Sequence, residues 1–217
     1  MFTRLVGTAG LIMLLTGCGV KTWVIQQDFK PEEVKRIGVV VPSVQIRMID
    51  ISNDVTIDTE QSGALRAPFE KAVVEGLKQE GFDAFLISNK SDEVTFLKGY
   101  GLIASEIRKH FPNQGTPTQP SKIDGFAAIK ASSKVDCIAA VDGLEHKSTP
   151  GRKAKMAGLA LLGVSGGQGL THITMGLFCG DDGKPMFFEH YKDTSDLFDT
   201  GNVSKISSTL VSHAKQK

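Results

Sequence analysis

The chain carries almost no excess charge of either sign. Its 217 residues include 25 lysines and arginines against 24 aspartates and glutamates. It therefore lacks the basic footprint that a nucleic-acid-binding surface leaves in a composition. Histidine is sparse and scattered, at positions 110, 146, 172, 190 and 213, with no i, i+4 pair of the kind that sets two metal ligands on one helix face. No metal or cofactor is expected. Gly166-Gly167-Gln168-Gly169 lacks the following Lys-Ser/Thr that would hold a nucleotide and its magnesium, so no phosphate-cradling loop is present. Cysteine is scarce, at 18, 137 and 179 only, and the one long apolar run, Leu5 to Leu15, is too short to span a bilayer as a permanent helix. An apolar fraction of 41% is that of a globular chain and argues against disorder.

What is there begins with that run. Arg4 precedes it, only Thr8, Gly7 and Gly10 interrupt its apolar side chains, and small residues come at once after it, which is a secretory signal layout. Leu15-Thr16-Gly17-Cys18 then resembles the lipobox of bacterial lipoprotein precursors. The resemblance implies that the Cys18 thiol receives a diacylglycerol, that Leu15, Thr16 and Gly17 are read by the signal peptidase, and that the chain is cut between Gly17 and Cys18. Each buried methylene of an acyl chain contributes about 0.8 kcal/mol, so two or three chains hold durably where one does not. Gly19 is not the Asp that resembles an inner-membrane retention signal, so the expected address is the periplasmic side of the outer membrane in a Gram-negative host. In a Gram-positive host it is the outer face of the cytoplasmic membrane. The alternatives are an uncleaved anchor or a buried first helix with an inert thiol. Removing residues 1–17 takes away Arg4 and no acid, leaving 24 basic and 24 acidic side chains on about 200 residues. One domain is expected, with residues 1–17 as signal, 18–34 as lipidated terminus and polar tether containing Trp23, and 35–217 as the domain.

Cys137 and Cys179 fall in stretches that read as strands, in a chain expected to mature in an oxidising compartment. A disulfide between them is one reading. Two separate buried thiols, behaving as small hydrophobes, is the other and is preferred.

The chain in order suggests alternating strands and helices. Arg36-Ile37-Gly38-Val39-Val40-Val41-Pro42 is a β-branched run suited to a strand buried on both faces. Val44, Ile46 and Met48 alternate with polar residues before a turn at Ser52-Asn53-Asp54 and a return through Val55 and Ile57, a hairpin. Ser62 to Glu80 stacks Leu65, Phe69, Val73 and Leu77 at i+4 spacing, with Gly81 placed to end the helix in a left-handed cap. Phe82 to Ser88 is expected to be a strand parallel to the first. Ser91 to about His110 reads as a helix weakened by Gly99 and Gly101, kinked or split in two. Pro112 to Pro120 has loop composition. Ile123 to Ala131 suits a short helix and Lys134 to Leu144 a strand with Asp136 and Asp142 at its edges. Pro150 to Lys155 reads as a basic, turn-rich link. Leu170 to Cys179 and Lys184 to Tyr191 flank Gly180-Asp181-Asp182-Gly183, a strong hairpin signal, and Val203 to Ala214 is a plausible last helix.

Summed, this is an α/β (α+β) single domain, a mixed sheet with packed helices and a C-terminal hairpin plus helix. That layout resembles periplasmic lipoprotein domains related to the N-terminal domain of TolB. The group includes curli-secretion-type channel lipoproteins (CsgG) and lipoprotein activators of penicillin-binding proteins. It transfers no functional residue.

Among chemical constellations, Gly163-Val164-Ser165-Gly166-Gly167 matches a nucleophile elbow, with Asp193 and His190 or His213 as partners for an envelope serine hydrolase. The residues after Ser165 are glycine-rich and then strand-like, so a flexible link is the better reading. Asp181 and Asp182 are expected to serve their turn. Met156 to Val164 is apolar all round, either a short buried helix or a segment packed on lipid or a neighbouring subunit. The expectation is a lipid-anchored, non-catalytic accessory or assembly subunit of an export or wall-synthesis machine, with other envelope proteins or its own copies as partners. Alternatives are the Ser165 hydrolase and a solute-binding lipoprotein, though a chain this short lacks the two lobes usual for ligand closure.

Overall fold

The structure is a computed structural model and describes residues 19–24, 30–110, 122–160, 169–194 and 196–212. In chain order the elements are β1 (Gly19–Val24), a 3-10 turn (Pro31–Glu33), β2 (Arg36–Val40), β3 (Val44–Ile49), β4 (Val55–Asp58), α1 (Thr59–Gln79), β5 (Asp83–Leu86) and α2 (Lys90–His110). The chain continues through α3 (Phe126–Ser133), β6 (Cys137–Ser148), α4 (Pro150–Ala160), β7 (Leu170–Cys179), β8 (Lys184–Asp193) and α5 (Thr200–Ser212). The eight described strands form one mixed sheet in the order β1-β8-β7-β6-β2-β5, with β3 also on β6 and β4 beyond it. This is an α/β fold.

The twelve-residue β6 is the spine. Its first half pairs in parallel with β2 and its second half in parallel with β3. The two short strands thus lie end to end along one side of it. Pro42, which has no N–H to give a ladder, sits in the break between them, and the Gly143 N–H bridges it by donating to the Ser43 carbonyl at 2.9 Å. Antiparallel β7 covers β6's other side.

Side-chain alternation along β2 and β6 feeds two cores. Ile37, Val39, Cys137, Ala139 and Val141 face α1 and α5, joining Leu65, Phe69, Val73, Leu77, Val203 and Ile206 in one buried cluster. Val40, Ile138 and Ala140 face α2 and α3, under Phe96, Tyr100, Phe126, Phe178 and Phe188. Two helical layers therefore sandwich the sheet. The four i+4 residues of α1 are all buried, each contributing about 2 kcal/mol by leaving water.

Helix α1 starts three residues before the expected Ser62. The Asp58 carboxylate caps it, accepting from the Gln61 N–H at 2.9 Å. Ser62 instead ties the first turn to the sheet, accepting from the Ile46 N–H at 2.9 Å. At the far end Gly81 has φ +93°, Phe82 N–H donates to the Leu77 carbonyl and Gly81 N–H to that of Lys78. This is the paired bonding of a Schellman cap, as the glycine suggested.

Several expectations are corrected. The segment read as a tether contains β1, an edge strand antiparallel to β8. Helix α2 runs unbroken through Gly99 and Gly101. A Cβ on Gly99 would press on Ile123, so this glycine lets α2 approach the segment before α3 closely. The link at Pro150–Lys155 is the first half of α4, capped by the Thr149 hydroxyl, which accepts from the Arg152 N–H at 3.3 Å, with Pro150 at the first helical position. Asp142 is not at a strand edge but within β6 and buried. In place of two separate thiols, Cys137 and Cys179 stand opposite each other on β6 and β7, Cα atoms 4.3 Å apart, joined in a disulfide.

Candidate functional site

At the end of the sheet where β6 begins and β7 turns into β8, the disulfide floors an open cleft of about 480 Å³. Lys30, Glu33, Asp136, Gly180, Asp182 and Lys184 are among its walls. The charges there are locally matched. Lys30 pairs with Glu33 at 2.9 Å and Lys184 with Asp182 at 3.4 Å. Asp136 is held by backbone, its Oδ2 accepting from the Lys35 and Arg36 N–H groups at 2.9 Å each. Burial pushes its carboxyl up, but those donors, with Lys130 and Arg36 nearby, hold it below the ordinary range. Each of the three acids in its lining is therefore engaged, Glu33 and Asp182 by lysines and Asp136 by backbone N–H groups.

The hairpin turn beside the cleft adopts the geometry its composition predicts, with Gly180 at φ +74° and Gly183 at φ +61°. Gly183 is also required for space, because a Cβ there would collide with the Phe126 ring. Asp181 and Asp182 do more than shape the turn. Asp181 reaches Lys130 of α3 at 3.0 Å, and the Asp182 carbonyl accepts from the Ile123 N–H at 3.0 Å.

A second polar row lies on the α2/α3 face of the sheet. The Tyr100 hydroxyl donates to Asp142 Oδ2 at 2.7 Å, beneath stacked and edge-on contacts of its ring with Phe96 and Phe178. Further along, His172 Nδ1 and His190 Nε2 are 3.1 Å apart, and His190 Nδ1 lies 3.3 Å from the Thr174 hydroxyl. In the neutral pair one ring donates and the other accepts, whereas two imidazolium rings would set N–H against N–H. Burial pushes His172 below the ordinary histidine value, aided by Lys192 and His146. His146, across from Arg47 in the ladder, is lowered by burial and by that arginine. These three histidines come from three adjacent strands, which their sequence positions do not reveal.

On the opposite face, buried Glu145 accepts from the Leu197 N–H at 3.2 Å, and Lys147 bridges it at 3.5 Å to Asp196 at 2.8 Å. The loop before α5 is thereby latched to β6. Burial raises the Glu145 carboxyl above its ordinary value, with Lys147 opposing. Asp196 is pushed up by burial, but Lys147 and the Phe198 N–H bring it below the ordinary range.

Leu15, Thr16, Gly17, Cys18, Ser165 and His213 lie outside the described residues. His110 ends α2. His190 and Asp193, offered as partners for Ser165, are three apart on one strand and so face opposite sides of the sheet. The Asp193 carboxylate accepts from the Tyr191 hydroxyl at 2.6 Å and the Thr194 N–H at 2.7 Å. The described strand thus does not bring that acid to that base. Met156 belongs to α4, half-buried, while Ala157 beside it is exposed, and residues 161–164 lie outside the described residues. Among the described residues no group of three His, Cys, Asp or Glu could hold a metal ion, and no helix is long and apolar enough to cross a membrane.

No protein-family model matches the chain, and no curated protein matches it. Among solved structures it is similar to a PelC dodecamer from Paraburkholderia phytofirmans, at 12% identity over 89% of this chain and 97% of that one, with a TM-score of 0.40. It is similar also to a point variant of that dodecamer, at 8% identity over 91% of this chain and 95% of that one, again with a TM-score of 0.40. That score is too low for either likeness to carry an argument about this chain.

Proposed function

We propose that this chain is a lipid-anchored cell-envelope lipoprotein that works by binding, as a non-catalytic accessory or assembly subunit of an export or wall-synthesis machine. The observation that carries the reading is Leu15-Thr16-Gly17-Cys18 at the end of a short apolar run behind Arg4. The Cys137–Cys179 disulfide supports it independently, because such bonds persist in oxidising compartments and are rare in the cytosol. Binding as the mode of action draws support from the charge-matched cleft at the disulfide end of the sheet. Gly19 after the box favours the periplasmic side of the outer membrane in a Gram-negative host.

Metabolic labelling with radioactive palmitate tests the anchor, with label expected in the wild type and absent from Cys18→Ala. Equal label in both would remove it. Cross-linking and pull-down from native membranes tests the role. Recovery of components of one envelope machine is expected, and a wild-type protein recovered alone would overturn the assignment.

A further inference from the structure

The sheet has two unlike ends. At one lie the disulfide cleft and the β7–β8 turn. At the other, β3, β6 and β8 finish while β1, β4 and β7 begin, as the pairings Ile49 with Val55, His146 with Leu170, and Gly19 with Lys192 show. Gly19, which follows Cys18 in the sequence, therefore lies at this second end.

Of the seven large apolar side chains exposed among the described residues, four lie at the same end, the others being on β5 and α2. Ile51 in the β3–β4 turn is 49% exposed, Val55 and Ile57 on β4 are 51% each, and Phe198 in the loop before α5 is 41%. Helix α4 packs there too. The Arg152 guanidinium donates to the Asp50 carbonyl at 3.0 Å, Gly151 lies against the Ile51 side chain, and Lys153 acts on Asp196, two residues before Phe198. Its sequence, PGRKAKMAGLA, holds three cations and no acid. Lys153 and Lys155 are exposed, as is Lys192 across from Gly19. Acids share this end, among them the exposed Asp54 beside Val55, and three of the others are held by hydrogen bonds. Asp50 accepts from the Ser52 and Asp54 N–H groups, Asp196 holds Lys147, and Asp199 accepts from the Gly201 N–H. Exposed apolar side chains beside lysines able to meet phosphate are the makings of a surface that rests in the headgroup layer of a bilayer.

We infer that the end of the sheet carrying Ile51, Val55, Phe198 and the basic start of α4 is a membrane-resting face that seats the domain on the phospholipid surface from which its anchor emerges. This rests on the lipidation of Cys18. The face fixes an orientation. β7 spans ten residues at about 3.3 Å each, so the disulfide cleft is held on the order of 30 Å out from the lipid, presented to partners.

The test uses the full-length, cell-processed protein reconstituted into protein-free vesicles of phosphatidylethanolamine with a minority of phosphatidylglycerol. Surface amines are footprinted with a water-soluble acylating reagent and read by mass spectrometry. Lys153 and Lys155 are expected to label about fivefold more slowly than Lys184 at the far end, and this protection is expected to vanish in the Ile51→Asp, Val55→Asp double variant while that variant stays vesicle-bound. Both substituted residues are exposed, so the variant keeps its core. Equal labelling of all three lysines in a wild type whose intact mass includes the Cys18 lipid overturns the resting face and leaves the anchor standing. A mass without lipid overturns both. Protection that grows with protein density in the vesicle points to a second copy on this face and also overturns the inference.

Discussion

Replacing both Cys137 and Cys179 by alanine tests the link between register, compartment and stability. The bond closes a loop with a sequence separation of 42 residues. The chain-entropy relation for a loop of that size gives about 13 cal/mol/K removed from the unfolded chain, or about 4 kcal/mol at 25 °C. Both cysteines are buried in one hydrophobic cluster, so truncating them also leaves small voids there. For a domain of this size each kcal/mol corresponds to roughly 2–4 °C, so a drop in Tm of about 10 °C is expected. The assay is thermal unfolding by circular dichroism of the wild type and the double variant, beside thiol titration of the denatured, unreduced wild type. A loss below about 1 kcal/mol, or two titratable thiols in the wild type, would refute the reasoning. The first would mean that the closed loop is already restricted in the unfolded chain. The second would mean that the opposed cysteines stay reduced, which would also remove the support that the bond lends to an exported location.

The polar row and the hairpin give two further expected outcomes. His172 and His146 are both held below the ordinary histidine value. The unfolded chain therefore binds more protons than the native one just below pH 6.5, so their contribution to stability is full above that pH and is lost as pH falls through it. The denaturation midpoint should fall between pH 7.5 and pH 5.5, and less steeply in a His146→Gln, His172→Gln variant; an unchanged slope would exclude these rings as the cause. Gly183→Ala combines positive φ with a collision against Phe126 and should cost about 2 kcal/mol or more in urea unfolding, while Gly63→Ala, in open space on α1, should not destabilise.

Features set by neighbours along the chain were legible. The stripe from Leu65 to Leu77, the Gly81 cap and the Gly-Asp-Asp-Gly turn each need only a few consecutive residues. Two local signals are outweighed by the residues around them. Thr149-Pro150 is a capping residue before a proline suited to the first helical position, hidden by the basic, glycine-containing stretch around it. Val20, Trp23 and Val24 are good strand formers, masked by the expectation of a tether. Gly99 looked like a helix breaker, but its cost to α2 is offset by the close seat it gives Ile123.

Other features depend on register, and register is a property of the whole sheet. That Cys137 faces Cys179, that His172 meets His190, and that Asp142 is sunk beneath Tyr100 are consequences of which residue of β6 stands beside which of β7 and β8. A slip of one residue would have sent each to the other face. The sequence by itself determined the short-range elements, the balanced charge and the box at Cys18, because each depends on chemistry within a few residues. The tertiary structure alone decided that Gly19, Ile51, Arg152 and Phe198 share one end and the disulfide cleft the other. These residues are far apart in the chain, and only the parallel and antiparallel pairings around β6 bring them to a common edge.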